Sequence, residues 1–230
     1  MSQFFSLLFI FSSFFFFACN NKDDTGKSVD PDDLYFDYKI AGEEGNDTIT
    51  ILLQYRVAGI EGDAISISEI GKAELDGEPV PEDSTKMSGK FYEMYKPVSV
   101  FTGKHHIVFT DHDKKIYKEA FDFQPFTLLT QVADSLQRGK LVFEFGGLKP
   151  EESMTVLMTD TSFINEGISR VYKVQGGRLE ITQTELESLS NGPVQLEFIK
   201  EQERPLKNGT GTGGRLMIIY RLKREFFLKN

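Results

Sequence analysis

From Thr48 to Val57 the chain alternates apolar and polar side chains, placing Ile49, Ile51, Leu53, Tyr55 and Val57 on one face. A period of two belongs to a strand with one buried face, because successive side chains on a pleated strand point to opposite sides. Similar short runs recur at 34–40, 65–70, 72–75, 90–95, 105–110 and 115–123, separated by turn formers such as Asp76-Gly77 and Asp111-His112-Asp113. A second series follows at 126–132, 140–145, 155–158, 169–174, 178–182, 194–199 and 215–222. Its separators are Gly146-Gly147, Gly176-Gly177, Asn191-Gly192-Pro193 and the glycine-rich loop 208–214. Only residues 184–189 carry a helical pattern, with Thr184 as the expected N-cap and Leu186 and Leu189 spaced i, i+3.

About seven short strands in each of two segments, residues 34–124 and 125–230, predict an all-β chain of two tandem β-sandwich domains. The boundary is drawn at Phe123-Gln124-Pro125-Phe126, where proline removes a strand donor, and the near absence of linker makes the two domains abut. Gly103-Lys-His-His-Ile-Val-Phe-Thr-Asp followed by Lys115-Ile-Tyr-Lys-Glu-Ala-Phe resembles the closing hairpin of immunoglobulin-like and fibronectin-type-III-like sandwiches. With no Trp and one Cys, a Cys–Trp–Cys core is excluded, and Leu, Ile, Val and Phe fill both cores.

Of the 21 Phe, 8 fall in the first 18 residues. Phe4 to Ala18 is an uncharged apolar run that ends at Cys19. As a helix it covers about 22 Å, short of the roughly 30 Å hydrocarbon core, so it reads as the apolar region of an export signal. Phe16-Phe17-Ala18-Cys19 resembles the lipobox of bacterial lipoproteins, although Phe16 replaces the usual aliphatic residue and the leader lacks Lys and Arg. The resemblance implies that residues 1–18 are removed and that Cys19 carries the acyl chains, palmitate among them, that anchor the protein in a membrane. Lys22-Asp23-Asp24 resembles the export tag of Bacteroidota surface lipoproteins and reads equally as a solvated acidic linker. The resemblance implies an outer-membrane protein, at the cell surface or else facing the periplasm.

The net charge of −9 argues against nucleic-acid binding, which needs basic surface to displace phosphate counterions. The charge is unevenly placed: residues 19–33 hold 2 basic and 5 acidic groups, 34–124 hold 10 and 17, and 125–230 hold 14 and 13. Residues 19–33 therefore read as a flexible lipidated tether ahead of an acidic first domain.

Chemistry is sparse in the sequence. His105 and His106 are strand neighbours expected to point to opposite faces, and His112 sits in an Asp-X-Asp turn. That reads as a hairpin with a surface histidine, with a weak metal site of His112, Asp111 and Asp113 as the lesser alternative. Gly209-Thr-Gly-Thr-Gly-Gly214 leads into a strand without the Lys-Ser/Thr and helix of a phosphate loop. Glu43-Glu44 and Glu151-Glu152 are adjacent pairs, read as solvated loop charge rather than facing catalytic carboxylates. No catalytic residue, metal site or cofactor is expected. Asp47-Thr48-Ile49, Asp83-Ser84-Thr85 and Asp134-Ser135-Leu136 resemble Bacteroidota O-glycosylation sites.

Phe91-Tyr92-Glu93-Met94-Tyr95 sets Tyr92 and Met94 against Phe91, Glu93 and Tyr95, so Tyr92 and Tyr95 are the candidate binding residues, suited to stack on sugar rings or fill a partner's pocket. The terminal stretch 221–229 alternates basic and apolar groups, a last strand whose basic face meets an acidic partner or the first domain. These features point to a lipid-anchored envelope protein with a non-catalytic binding, adhesion or scaffold role toward another envelope protein. The alternative is a glycan-capturing accessory of a nutrient-uptake system, with extracellular glycan as partner.

Overall fold

The structure is a computed structural model that describes residues 29–161 and 167–230. The expected export signal 1–18, the expected lipid attachment point Cys19 and the expected tag Lys22, Asp23, Asp24 lie outside the described residues.

The first half forms β1 (Leu34–Glu43), β2 (Thr48–Val57), β3 (Gly71–Leu75), β4 (Glu78–Pro79), β5 (Glu82–Thr85), β6 (Gly89–Pro97), β7 (Gly103–Asp111) and β8 (Ile116–Phe123). Strands in the order β5-β6-β2-β1 face strands in the order β4-β3-β7-β8. This is the ABED against CFG arrangement of an immunoglobulin-like sandwich, with β7–β8 as the expected closing hairpin. Alternation builds the core directly: Leu34, Phe36, Tyr38 and Ile40 of β1 and Ile49, Ile51, Leu53 and Tyr55 of β2 are all buried. Across the layers, Phe36 meets Phe109 edge-on at 5.2 Å and Tyr117 at 5.4 Å. Ile65–Ile70, expected as a strand, is instead a turn in which the Ile70 and Gly71 amides bond the Ile67 carbonyl at 3.0 and 2.8 Å. Ile67 and Ile70 still point inward, so burial there follows from the turn and not from strand pairing.

The second half forms β9 (Thr127–Leu128), β10 (Ser135–Gln137), β11 (Leu141–Gly146), β12 (Ser153–Asp160), β13 (Ile168–Lys173), β14 (Arg178–Ile181), the helical turn α1 (Gln183–Leu186), β15 (Gly192–Thr210) and β16 (Gly213–Lys229). Strands β9-β11-β14 face β13-β12-β15-β16, with β10 parallel to the end of β16. This second sandwich closes over Phe198, which meets Phe143 and Phe145 at 5.0 and 4.9 Å. The helix starts two residues earlier than expected. Thr182 is its N-cap, in a reciprocal capping box with Glu185, while Leu186 and Leu189 are buried as their spacing requires.

The largest departure from expectation is the length of the last hairpin. β15 and β16 run 19 and 17 residues, far past the second sandwich. The outer part of β16 pairs in parallel with β1 from Phe36↔Gly214 to Glu43↔Arg221. One nine-stranded sheet therefore passes through both halves of the chain. Phe123, Phe126 and Tyr220 meet at the seam, with Tyr220 edge-on to the two phenylalanines at 6.1 and 5.7 Å. Gly42 is required there, because a Cβ would come within 2.4 Å of Ile49 and 2.9 Å of the Tyr220 ring. The buried side chains of both halves form one continuous cluster.

Candidate binding surface

The structure separates the two candidate tyrosines. Tyr92 is 5% exposed and lies edge-on to Tyr55 at 5.6 Å, so it is a core residue and not a platform. Its hydroxyl accepts the Ile67 amide at 2.8 Å and bonds the Glu82 carboxylate. Burial pushes the Tyr92 hydroxyl above its ordinary pKa, and the neighbouring Glu82 carboxylate adds to the rise. Burial alone would raise Glu82, but hydrogen bonds from Ser66, Tyr92 and Lys90 outweigh it and hold the carboxyl below its usual range. Tyr95, three residues on, is 59% exposed on the outer face of the sheet. Its hydroxyl donates to Glu93 at 2.6 Å, which fixes the ring's position. The period of the strand thus divides the pair as expected, and Tyr95 alone is free to stack on a ligand.

His105 and His106 take opposite faces as strand alternation requires, His105 with its side chain 10% exposed among core aromatics and His106 38% exposed, yet both rings reach the same aspartate at the β3–β4 turn. His105 Nδ1 lies 2.7 Å and His106 Nδ1 3.2 Å from Asp76. His105 also stacks on Phe101 at 4.0 Å. Burial opposes ionisation of Asp76, yet the bonds from His105 and the His106 amide prevail and lower its pKa. His112 lies 3.4 Å from exposed Asp113, whereas Asp111 is buried and accepts the Lys115 amide at 2.8 Å. Asp111 therefore shapes the turn. Among the described residues no three acid, His or Cys groups gather as metal ligands.

The acidic pairs read as solvated loop charge are mostly engaged. Glu43 meets Lys223 at 3.0 Å, and Glu44 meets Arg224. The basic face of the last strand is therefore turned partly onto the first half of the chain. Glu152 is paired with Lys200 at 3.0 Å and accepts Gln202 at 3.1 Å. Adjacent residues gave no sign of these partners, because each comes from a distant strand.

The glycine-rich loop is pinned. Thr210 Oγ1 donates to the Leu34 carbonyl, and Thr212 Oγ1 to the Asp32 carbonyl at 3.2 Å. A Cβ on Gly214 would meet the Phe36 carbonyl at 2.6 Å, so glycine permits the tip to approach β1. On the other side, Arg204 reaches the Ala120 carbonyl at 2.8 Å and Asn208 the Lys118 carbonyl at 2.9 Å. Glu119, only 2% exposed, pairs with Arg204 at 2.6 Å and accepts the Lys207 amide at 2.8 Å. The hairpin tip thus bridges the sheet of β1 and the edge of β8, closing the side of the first sandwich.

No protein-family model matches the chain, and no curated protein is similar to it. Solved structures do resemble it weakly. The crystal structure of DIP-gamma IG1+IG2 is 13% identical, covers 83% of this chain and 97% of its own, with a TM-score of 0.24. The Bacteroides ovatus mixed-linkage glucan utilization locus SGBP-B, in complex with a mixed-linkage heptasaccharide, is 14% identical over 85% of this chain and 45% of its own, with a TM-score of 0.24. The Yersinia pseudotuberculosis adhesin InvE is 12% identical over 82% of this chain and 60% of its own, with a TM-score of 0.22. The immunoglobulin-like architecture itself rests on the strand order.

Proposed function

We propose that the protein is a lipid-anchored envelope protein, displayed from the outer membrane and most simply at the cell surface, with a non-catalytic binding, adhesion or scaffold role. In this reading residues 1–18 are an export signal, Cys19 carries the acyl chains, and Lys22, Asp23 and Asp24 direct export. Residues 19–33 are the tether, and 34–124 and 125–230 are the two sandwiches. The observation that carries the anchoring is Ala18-Cys19 at the end of an uncharged apolar run, followed at once by polar residues. Two acyl chains or more would hold a folded domain at a membrane without a spanning helix. Among the described residues no helix is long and apolar enough to cross one.

The display role is supported by the hairpin, which ties the two sandwiches into one body and so fixes the geometry of whatever surface they present. Metabolic labelling with a fatty-acid analogue tests the anchor: the native protein takes up label and sediments with membranes, and Cys19→Ser loses both. A Cys19→Ser protein that stays labelled and membrane-bound overturns it. A second reading, capture of extracellular glycan, is favoured by the exposed, oriented ring of Tyr95.

A further inference from the structure

On its outer face the nine-stranded sheet holds a trough of about 260 Å³ over β1, β2 and β16. Its floor is made of small or short side chains, Ala41, Thr48 and Thr50, with Ile219 beside them. Register explains the grouping: Ala41 is opposite Ile219 on one side and Thr50 on the other, and Thr50 is opposite Tyr95. A row across four strands thus runs from the exposed Tyr95 ring over a low, hydroxyl-bearing floor.

Charge around the trough is unequal. Glu43, which lines it, is already held by Lys223 at 3.0 Å. Lys39 and Arg221 line it as well, and neither has an ion-pair partner within 4.0 Å among the described residues. Glu201 stands one strand further out, opposite Ile219. Glu93 is turned to the Tyr95 hydroxyl at the β6 end of the row, so the two unpaired cations, Arg221 opposite the neutralised Glu43 and Lys39 four residues along β1 from it, favour anionic groups at the β1–β16 end. A guanidinium binds carboxylate or sulfate with two parallel bonds, while the tyrosine face and the threonine hydroxyls suit a sugar ring. From β6 to β16 is three strand spacings, about 14 Å, which calls for a chain of sugars and not a single ring.

The geometry points to this trough as a binding site for an acidic oligosaccharide, with one sugar stacked on Tyr95 and carboxylates or sulfates held by Arg221 on one flank of the row and Lys39 on the other. The inference rests on the glycan-capture reading and names its site and ligand class.

Titration calorimetry on the folded soluble form tests it with polygalacturonate, with heparin and with a neutral β-glucan. Binding to either acidic polymer is expected, with the neutral polymer at least about tenfold weaker and with about a tenfold loss or more in Tyr95→Ala and in Arg221→Gln. The carboxylated and sulfated polymers show which acid is preferred. Thr50→Phe, which fills the trough while keeping a strand-compatible residue, is expected to abolish binding; thermal melting confirms that each variant folds. Equal binding of the neutral glucan overturns the acidic ligand class. Glycan binding untouched by all three variants overturns the site and leaves glycan capture standing. Absence of binding to these polymers and across a broad glycan array overturns both.

Discussion

The two halves of the β15–β16 hairpin are held in different ways. Within the second sandwich, β15 has neighbours on both sides, and Val194, Leu196 and Phe198 alternate inward against β11. Beyond residue 200 the same strand pairs only with β16. From Lys200 on, Lys200 and Arg204 take the place of apolar residues, Leu206 alone of this arm packs against the core, and Pro205 sits where the free edge needs no donor. In the inner half both strands are fixed by burial; in the outer half β16 is still buried and paired with β1, while the arm of β15 is held by β16 and by polar bonds to β8. A strand can therefore continue well past the end of its hydrophobic pattern when a second layer offers buried acceptors and a carboxylate.

The inner half is where substitution costs most. Phe198→Ala removes the ring packed between Phe143 and Phe145 and is expected to destabilise by about 3–5 kcal/mol in chemical denaturation. Were the outer half equally burial-driven, truncating its polar residues would have little effect. Arg204→Ala is instead expected to cost about 2 kcal/mol, because Glu119 stays buried with only the Lys207 amide; the partial exposure of Arg204 keeps the loss below that of a fully buried pair. Adding Glu119→Leu should recover most of that loss, since no charge is then left buried. A further loss in the double variant would contradict the polar account of the tip.

Acid acts on both sandwiches. Asp76 and Glu82 in the first sandwich and Glu185 in the second all have lowered pKa values, in each case because hydrogen bonds outweigh the opposing effect of burial. A folded pKa below the unfolded one gives stability that is present above the ordinary carboxylate range, about pH 4, and is lost as pH falls through the folded value. Melting curves should therefore drop below about pH 4 in the native protein. The drop should be shallower in Asp76→Asn, which no longer titrates. The smallest effect belongs to Tyr95→Ala, expected within about 0.5 kcal/mol of the native stability because its ring is on the surface.

Much of this fold is legible in the sequence for a physical reason. Where one strand face is buried, as at Ile49, Ile51, Leu53 and Tyr55, period-two alternation marks the element and the buried side together. Glu119 shares a face with Tyr117, Phe121 and Phe123 and is buried with them, but its partners, Arg204 and the Lys207 amide, come from a strand more than 80 residues away. What alternation does not carry is pairing between distant segments. The parallel register of β1 with β16 joins residues some 180 positions apart, and the arm of β15 that accompanies it is polar. The binding surface divides in the same way. Strand period separates Tyr92 from Tyr95, but only the tertiary structure brings Arg221 to the same trough as Lys39 and Thr50.

A hairpin that joins the two sandwiches into one rigid body fixes their separation. Spin labels at Met87→Cys in the first sandwich and Glu187→Cys in the second, both exposed positions in a Cys19→Ser soluble form, report their separation by pulsed electron resonance. A single narrow distance distribution is expected, broadening when residues 201–213 are replaced by a short turn. A distribution already broad with the hairpin intact would contradict the account.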